Sequence, residues 1–208
     1  MIGNDKNQLE RDKINTRNRQ MLRNKDFSLI SENCNGGFIL HDLGIRFNSP
    51  TVNLFFYPKD FIKYVKNLKY YSSLKLEFIR KANINYPIGK LDDIEIYFMH
   101  YETEELAKQK WEERTKRINY DNIFILMTDR DGCTEEDLQE FDSLPYKNKV
   151  ILTHLPHENI KSCFYIKGFE DQKEIGHIYR FKNETTGKKF YDDFDYVSWF
   201  NTNNKVQD

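Results

Sequence analysis

Reactive side chains follow the apolar segments that this sequence predicts as strands. Cys34 follows the first such segment, His100 the third, Asp129 the fourth and His154 the fifth. The carboxyl ends of parallel strands meet at one edge of a sheet, where ligands bind. A thiol, two imidazoles and a carboxylate are groups used in acid–base and nucleophilic catalysis. The sequence therefore predicts a catalytic set at this edge, although polar strand-end loops are also common without any function.

Cys34 stands where an apolar segment breaks into a glycine turn that predicts the start of a helix. The dipole of a helix N-terminus lowers the pKa of a nearby thiol, and its free N–H groups can hold an oxyanion. We expect Cys34 at the mouth of a pocket as a nucleophile, with His100 or His154 as its base. Asp129 would orient that base. The alternative is a small core residue, or one that contacts a ligand without reacting.

Further residues near the same strand ends are predicted to contact a substrate. Glycine lets a backbone approach a ligand closely, and the chain's 16 Phe and 13 Tyr supply rings that can stack on sugars. A sugar or nucleotide-sugar ligand is therefore expected, whereas no cofactor can be assigned. The predicted substrate-binding residues are Asn33, Gly36, Gly37, Tyr57 and Arg130.

The segment 129–131 reads Asp-Arg-Asp and has three interpretations. In many nucleotide-sugar glycosyltransferases such a pair holds a divalent cation, and carboxylate oxygens suit Mg²⁺ or Mn²⁺. The phosphatase pattern Asp-x-Asp-Gly-Thr is interrupted here by Cys133. The third interpretation is a turn before a helix capped by Thr134. Position at the end of a central strand predicts that Asp129 faces the pocket and that Asp131 belongs to the turn.

Five apolar segments are predicted as strands of one mainly parallel sheet, separated by segments of helical periodicity. This alternation predicts an α/β fold, a three-layer Rossmann-like domain over residues 26–208. Residues 70–92 and 163–181 would add small antiparallel pieces, and residues 1–25 would form a basic N-terminal helical arm. The predicted strands are residues 27–31, 51–56, 94–99, 122–128 and 149–153.

Composition excludes several classes of function. The formal net charge of the 208 residues is -1, which gives no overall field for nucleic acid. We expect neither a membrane span nor a secretory signal, while peripheral association with a membrane stays open. Three cysteines without paired spacing predict free thiols and a cytoplasmic location. The spacing of His154, His157 and Cys163 matches no common zinc site, so no metal ligand is assigned.

Three long phrases carry a family resemblance: SENCNGGFILHDLGIRFNSPTVNLFF, YPIGKLDDIEIYFMHYETEELAKQKWEERTKRINYDNIFILMTDRDGCT and FDSLPYKNKVILT. They resemble an uncharacterised bacterial family known as domain of unknown function 1919. Its members are often labelled exopolysaccharide or capsular polysaccharide biosynthesis proteins. The resemblance implies an α/β fold and a cell-surface polysaccharide context, without implying a reaction. Where many relatives have an aromatic after the cysteine, this chain has Asn35.

Three classes of function remain open. The leading hypothesis is an enzyme of bacterial surface polysaccharide biosynthesis, a glycosyl- or other group transferase acting on an activated sugar. The second is a Cys-dependent acyl transferase or hydrolase. The third is a non-catalytic glycan-binding or assembly protein. Cation-dependent ligand binding would favour the first, and alkylation of Cys34 at neutral pH would favour the second.

Overall fold

The computed structural model describes residues 2–203, with side chains described for residues 6–202. Helices and strands both occur throughout this range. In chain order they are α1 (Ile2–Met21), β1 (Ser28–Ser31), α2 (Asn35–Leu43), α3 (Pro58–Lys66), α4 (Leu68–Ser73), β2 (Glu77–Ile79), β3 (Ile88–Leu91), β4 (Ile94–Tyr97), α5 (Glu104–Thr115), β5 (Ile123–Thr128), α6 (Glu135–Ser143), β6 (Lys149–Thr153), β7 (Cys163–Tyr165) and α7 (Tyr196–Phe200).

Four parallel strands form the main sheet in the order β1-β5-β6-β7. Successive side chains of a strand point to opposite faces, and β5 shows this directly. Phe124 and Leu126 join a core with α2 and α7, whereas Ile125 and Met127 join a core with α3, α5 and α6. Both faces are covered, as a parallel sheet requires. The predicted three-layer α/β class is therefore confirmed.

Two of the five predicted strands do not belong to the parallel sheet. Residues 51–56 are irregular apart from an antiparallel bridge between Phe55 and Tyr97. Strand β4 pairs antiparallel with β3, which pairs antiparallel with β2. A short apolar run does not reveal its partner by periodicity. Here the two-residue connection Asp92-Asp93, with φ of 54° at Asp92, imposes a hairpin.

The C-terminal part of the sheet also differs from expectation. Residues 163–181 were expected to add antiparallel pieces, but β7 extends the parallel sheet beside β6. Residues 177–181 form no strand, and Phe181 makes only an isolated bridge with Lys189. The nine residues between β6 and β7 contain no helix, and the two strands pair in parallel from Ile151 with Cys163 to Thr153 with Tyr165. The parallel sheet therefore has one more strand than the three correctly predicted ones.

The basic N-terminal segment docks on the domain through an unusual polar face. Four polar residues spaced by three or four along α1 are at most 7% exposed, which is the spacing of one helical face. They bond to α2, to the segment before α7 and to the first residue of α7. They are Asn7, Arg11, Asn15 and Asn18. None of the helices between residues 2 and 203 has the length and apolar character that a membrane crossing requires.

Candidate functional site

A cavity of about 460 Å³ lies where β1 and β5 end, and we call it the strand-end cleft. Its walls come from the turn between β1 and α2, the loop after β5, the loop after β4 and residues 177–179. The position agrees with the predicted edge of the parallel sheet. Its lining residues are Asn33, Cys34, Asn35, Phe38, Phe55, Tyr86, Met99, His100, Arg130, Asp131, His177 and Tyr179.

Aromatic rings form much of the cleft wall. The ring centroids of Phe38 and Tyr179 lie 4.7 Å apart, and those of His177 and Tyr179 lie 5.3 Å apart. Phe55 stacks on Tyr97 at 4.9 Å. Phe38 remains 38% exposed, so the ring cluster presents a face to the cleft. Such rings offer an apolar surface to a ligand while neighbouring polar groups set its orientation.

Sequence reasoning missed most of these rings as site residues. A signal existed for two of them: His177 and Tyr179 alternate around Ile178, whose side chain is buried. That period of two predicts that both neighbours face the same side. Phe38 stands in the first turn of α2, directly after the glycine pair, where a helix begins at the sheet edge.

Asn33 is held by side-chain hydrogen bonds to the end of β5 and to the start of α2. Its Nδ2 donates to Thr128 Oγ1 at 2.9 Å, and its Oδ1 accepts from the N–H of Asn35 at 3.1 Å. The N–H of Gly36 donates to Ser31 Oγ at 3.2 Å. These first N–H groups of α2 are therefore already engaged, and the predicted oxyanion site on them is not supported. Asn33 itself lines the cleft in a held orientation.

The two glycines of the turn have different roles. A Cβ added to Gly36 would lie 2.5 Å from Ser31 Cβ, so this glycine allows α2 to pack closely on β1. The nearest atom to a Cβ at Gly37 would be Val52 Cγ1, at 3.9 Å. Gly37 lines a second cavity, whereas Gly36 lines neither. Of the two glycines predicted to contact a substrate, only Gly37 is therefore positioned beside a cavity.

Cys34 lines the cleft, where its burial acts against an activated thiolate. Its Sγ lies 3.8 Å from the carbonyl oxygen of Leu54, and burial raises the pKa of the thiol. This direction is opposite to the expected effect of a helix N-terminus, because desolvation of the thiolate is the larger effect here. His100 lines the same cleft, but the described residues contain no hydrogen bond between Cys34 and His100.

Asp129 and His154 pair with each other away from the cleft lining. Asp129 Oδ2 accepts from the backbone N–H of His154 at 2.8 Å and lies 2.5 Å from His154 Nδ1. Asp129 Oδ1 accepts from the N–H of Ile175 at 3.1 Å. Both carboxylate oxygens are therefore used to join three chain segments. The structure does not bring this pair together with Cys34 and His100.

Asp131 takes the position that was expected for Asp129. It lines the cleft with a φ of 57°, and its N–H donates to Glu174 Oε2 at 2.9 Å. Burial raises the pKa of its carboxyl group. The two carboxylates thus do not face one point, and residues 2–203 contain no group of three His, Cys, Asp or Glu arranged to hold a metal ion. The cation-bridging interpretation of 129–131 does not fit these residues. The backbone of Asp131 does form the turn before α6, but its side chain lines the cleft.

Glu32 is a buried acid that sequence reasoning did not assign to the site. It is 0% exposed, and its Oε2 accepts from the N–H and Oγ1 of Thr128 at 2.9 and 2.8 Å. Its Oε1 has no hydrogen-bond partner among the described residues. Burial raises the pKa of Glu32 to about 8. It lies behind Asn33, whose Nδ2 is 3.4 Å from Glu32 Oε2, so it supports the cleft from beneath.

Tyr57 lies beside the cleft but outside its lining. Its ring is 46% exposed and packs edge-on against Phe55 at 5.7 Å and Tyr97 at 5.1 Å. Arg130, in contrast, lines the cleft next to Asp131. Of the five predicted substrate-binding residues, Asn33 and Arg130 therefore line the strand-end cleft.

A second cavity of about 620 Å³ adjoins the cleft, and we call it the side cavity. The two cavities share Cys34, Phe38 and His100, so these residues stand at the boundary. The other lining residues come from α1, α2, the loop before α3 and the segment before α7. They are Gln8, Arg11, Gly37, His41, Asp42, Phe47, Val52, Asn53 and Lys189.

Comparisons with known proteins cover nearly the whole chain. Residues 5–201 match the model of a family described as "Domain of unknown function (DUF1919)". An uncharacterized protein of Haemophilus influenzae is 52% identical over 195 residues, which cover 94% of this chain and 94% of that protein. The matched region contains all the residues that line both cavities.

Proposed function

We propose that this chain, which belongs to the DUF1919 family, is an enzyme of bacterial surface polysaccharide biosynthesis that binds an activated sugar in the strand-end cleft and catalyses group transfer. One observation carries the proposal. The exposed ring cluster of Phe38 and Tyr179 shares the cleft with the polar groups of Asn33, Arg130 and Asp131. The polysaccharide context rests on the family resemblance of the sequence, and the cytoplasmic location on its three free thiols.

The chemistry of the cleft suits a sugar with a phosphate attached. A pyranose ring has an apolar C–H face, which an aromatic ring can cover, and a rim of hydroxyl groups that both donate and accept hydrogen bonds. Asn33 can do both, and Asp131 can accept. The guanidinium of Arg130 matches the geometry of a phosphate oxygen pair. These three polar groups and the ring cluster would fix one orientation of the ligand.

His100 is the proposed general base. It lines both cavities, and an imidazole is the group most often used for proton transfer in catalysis. An acceptor hydroxyl would give its proton to His100 as its oxygen forms the new bond to the sugar carbon. The bond from that carbon to the phosphate would break, and its electron pair would leave with the phosphate beside Arg130. Cys34 would contact the ligand as a neutral thiol, because burial raises its pKa.

The two other classes of function are less well supported. A Cys-dependent transferase or hydrolase would need an activated thiolate, and burial acts against one at Cys34. A non-catalytic glycan-binding protein would use the same ring cluster but would not need His100. Substitution of two residues therefore distinguishes the three classes. Loss of Cys34 would abolish the activity of a Cys-dependent enzyme, and loss of His100 would abolish catalysis by the proposed transferase without abolishing ligand binding.

Binding can be tested with UDP-glucose and glucose 1-phosphate by calorimetry. Tyr179→Ala should weaken binding by about tenfold or more, since a buried aromatic contact is worth more than 1 kcal/mol. Tyr57→Ala is the matched control, because this exposed ring lies outside the cleft lining. His100→Ala should retain binding and lose the hydrolysis of UDP-glucose, in which water takes the place of the acceptor hydroxyl and UDP leaves. Equal binding by the Tyr179→Ala and Tyr57→Ala proteins would contradict the placement of the sugar.

A further inference from the structure

One end of the side cavity is a cluster of buried charges. Arg11 is 1% exposed, its Nη1 donates to Asp192 Oδ2 at 2.5 Å, and its Nη2 donates to Asp42 Oδ2 at 2.7 Å and to the Tyr191 hydroxyl at 3.1 Å. Lys189 Nζ donates to Asp42 Oδ2 at 3.0 Å. Arg11, Asp42 and Lys189 line the cavity, so this cluster faces any ligand inside it.

The cluster contains more donors than its own acceptors use. Arginine has five N–H groups and lysine has three. The Nε of Arg11 is buried and has no hydrogen-bond partner among the described residues. The pKa of Asp42 is lowered, because burial, which raises it, is outweighed by the hydrogen bond from Tyr191 and the charge of Arg11. The carboxylate of Asp42 therefore stays an acceptor within the protein. Lys189 is the accessible donor of the cluster: its side chain is 16% exposed, and Asp42 uses one of its three N–H groups.

Resting on the proposed function, we infer that the side cavity binds the second substrate of the group transfer, a sugar derivative that carries a carboxylate or phosphate group. Its acidic group accepts hydrogen bonds from Lys189, because an ionised acceptor is the strongest partner for such a donor, and Arg11 holds Asp42 in place beside it. The rings of Phe38 and Phe47 line the same cavity and give the sugar body an apolar surface.

The boundary between the cavities supports a two-substrate arrangement. Cys34, Phe38 and His100 line both. A ligand held at Lys189 and another held at Arg130 therefore approach each other at His100. Holding two reactants at one junction is the main entropic contribution of a transferase to its reaction. The side cavity thus specifies the acceptor, and the strand-end cleft holds the activated donor.

The inference can be tested by NMR titration of the ¹⁵N-labelled full chain with three probes: glucuronate, glucose 1-phosphate and neutral glucose. Backbone amides of Gly37 and Asn53 report on the side cavity, and those of Asn33 and Arg130 report on the strand-end cleft. We expect an acidic probe to shift Gly37 and Asn53, and glucose to shift them much less. The probe that binds more tightly distinguishes a carboxylate from a phosphate.

Lys189→Gln should weaken binding of the acidic probe in the side cavity by about tenfold, the value of a charge-assisted hydrogen bond. Lys188→Gln is the matched control, because the adjacent Lys188 is exposed and lies outside the side cavity. Gln8→Glu, at the exposed rim of the cavity, provides a second variant that does not disturb the buried cluster and should also weaken binding. If all acidic probes shift only Asn33 and Arg130, or if Lys188→Gln and Lys189→Gln behave alike, the inference is wrong while the proposed sugar site in the cleft stands.

Discussion

Asp129 holds His154 at two points, since its Oδ2 accepts the backbone N–H at 2.8 Å and lies 2.5 Å from the ring Nδ1. Its other oxygen accepts from the N–H of Ile175. Asp129 is 7% exposed, and its carboxylate joins the ends of β5 and β6 to the loop that contains Ile175. This relationship gives Asp129 a structural role, and Asp131 is the carboxylate of the pair that lines the strand-end cleft.

Asp129→Asn should therefore destabilise the protein without a specific loss of binding. An amide nitrogen at one of the two oxygen positions would face a backbone N–H donor, and an unsatisfied buried donor costs about 1–3 kcal/mol. Urea unfolding measures this cost. Asp131→Asn is the matched control and should lower ligand affinity while changing the free energy of unfolding by less than about 1 kcal/mol. The opposite pattern in the two variants would mean that their roles are exchanged.

Glu32 should make the protein less stable as the pH rises from about 4.5 to about 8. Burial raises the pKa of Glu32 from its ordinary value of 4.5 to about 8. In this window the unfolded chain loses the proton and the folded chain keeps it, so the folded state binds more protons and stability falls with pH. The slope from this one group is at most about 1.4 kcal/mol per pH unit.

Glu32→Gln removes this titration and keeps an oxygen for Thr128. Urea unfolding at pH 5, 6, 7 and 8 should show the variant gaining stability relative to the natural chain as the pH rises. A difference that stays constant across these four pH values would show that Glu32 is ionised in the folded protein.

Gly36→Ala should destabilise the fold, because its Cβ would lie 2.5 Å from Ser31 Cβ and 3.2 Å from Leu29 Cδ2. Overpacking of this kind typically costs about 1–3 kcal/mol. Gly37→Ala is the control one residue along the same helix, where the nearest atom is at 3.9 Å, and alanine should stabilise α2 by up to about 1 kcal/mol. Thermal unfolding of both variants checks the contrast, and similar melting temperatures would refute it.

Cys34 should react with iodoacetamide faster than the other two cysteines, yet more slowly than a free thiol. It lines both cavities, whereas Cys133 and Cys163 pack against the core. Burial raises the pKa of Cys34 and raises that of Cys163 to about 12. Mass spectrometry of folded protein should show labelling of Cys34 that is slow at pH 7 and accelerates towards pH 10. Rapid labelling at pH 7 would restore the nucleophile hypothesis.

The sequence predicted the parts of the fold that depend on neighbouring residues. The apolar run of β5 is a buried strand, and Thr134 caps α6 with Asp137 in a capping box. The prediction of a strand was wrong for residues 51–56. Apolar side chains of this segment enter the core, while its backbone makes only isolated hydrogen bonds. Composition and periodicity carry no information on which of these two ways an apolar run is buried.

A cavity lies at the edge of the sheet where a site was predicted, but the sequence did not predict which side chains line it. Asp129 and Asp131 are two residues apart, and the choice between them depends on loops at Glu174 and Ile175 that no local pattern reveals. The side cavity could not be predicted at all. Its charge cluster joins Arg11 to Asp192 across 181 positions of the chain, and such a pairing exists only after folding.

The most direct measurement is a crystal structure of the protein grown with UDP-glucose. We predict a glucose ring stacked on the ring cluster of Phe38 and Tyr179. Its hydroxyl groups should bond to Asn33 and Asp131, and the diphosphate should lie within hydrogen-bond distance of Arg130. The sugar carbon that bears the phosphate should face His100. A nucleotide sugar bound elsewhere on the protein, with the strand-end cleft left empty, would contradict the account.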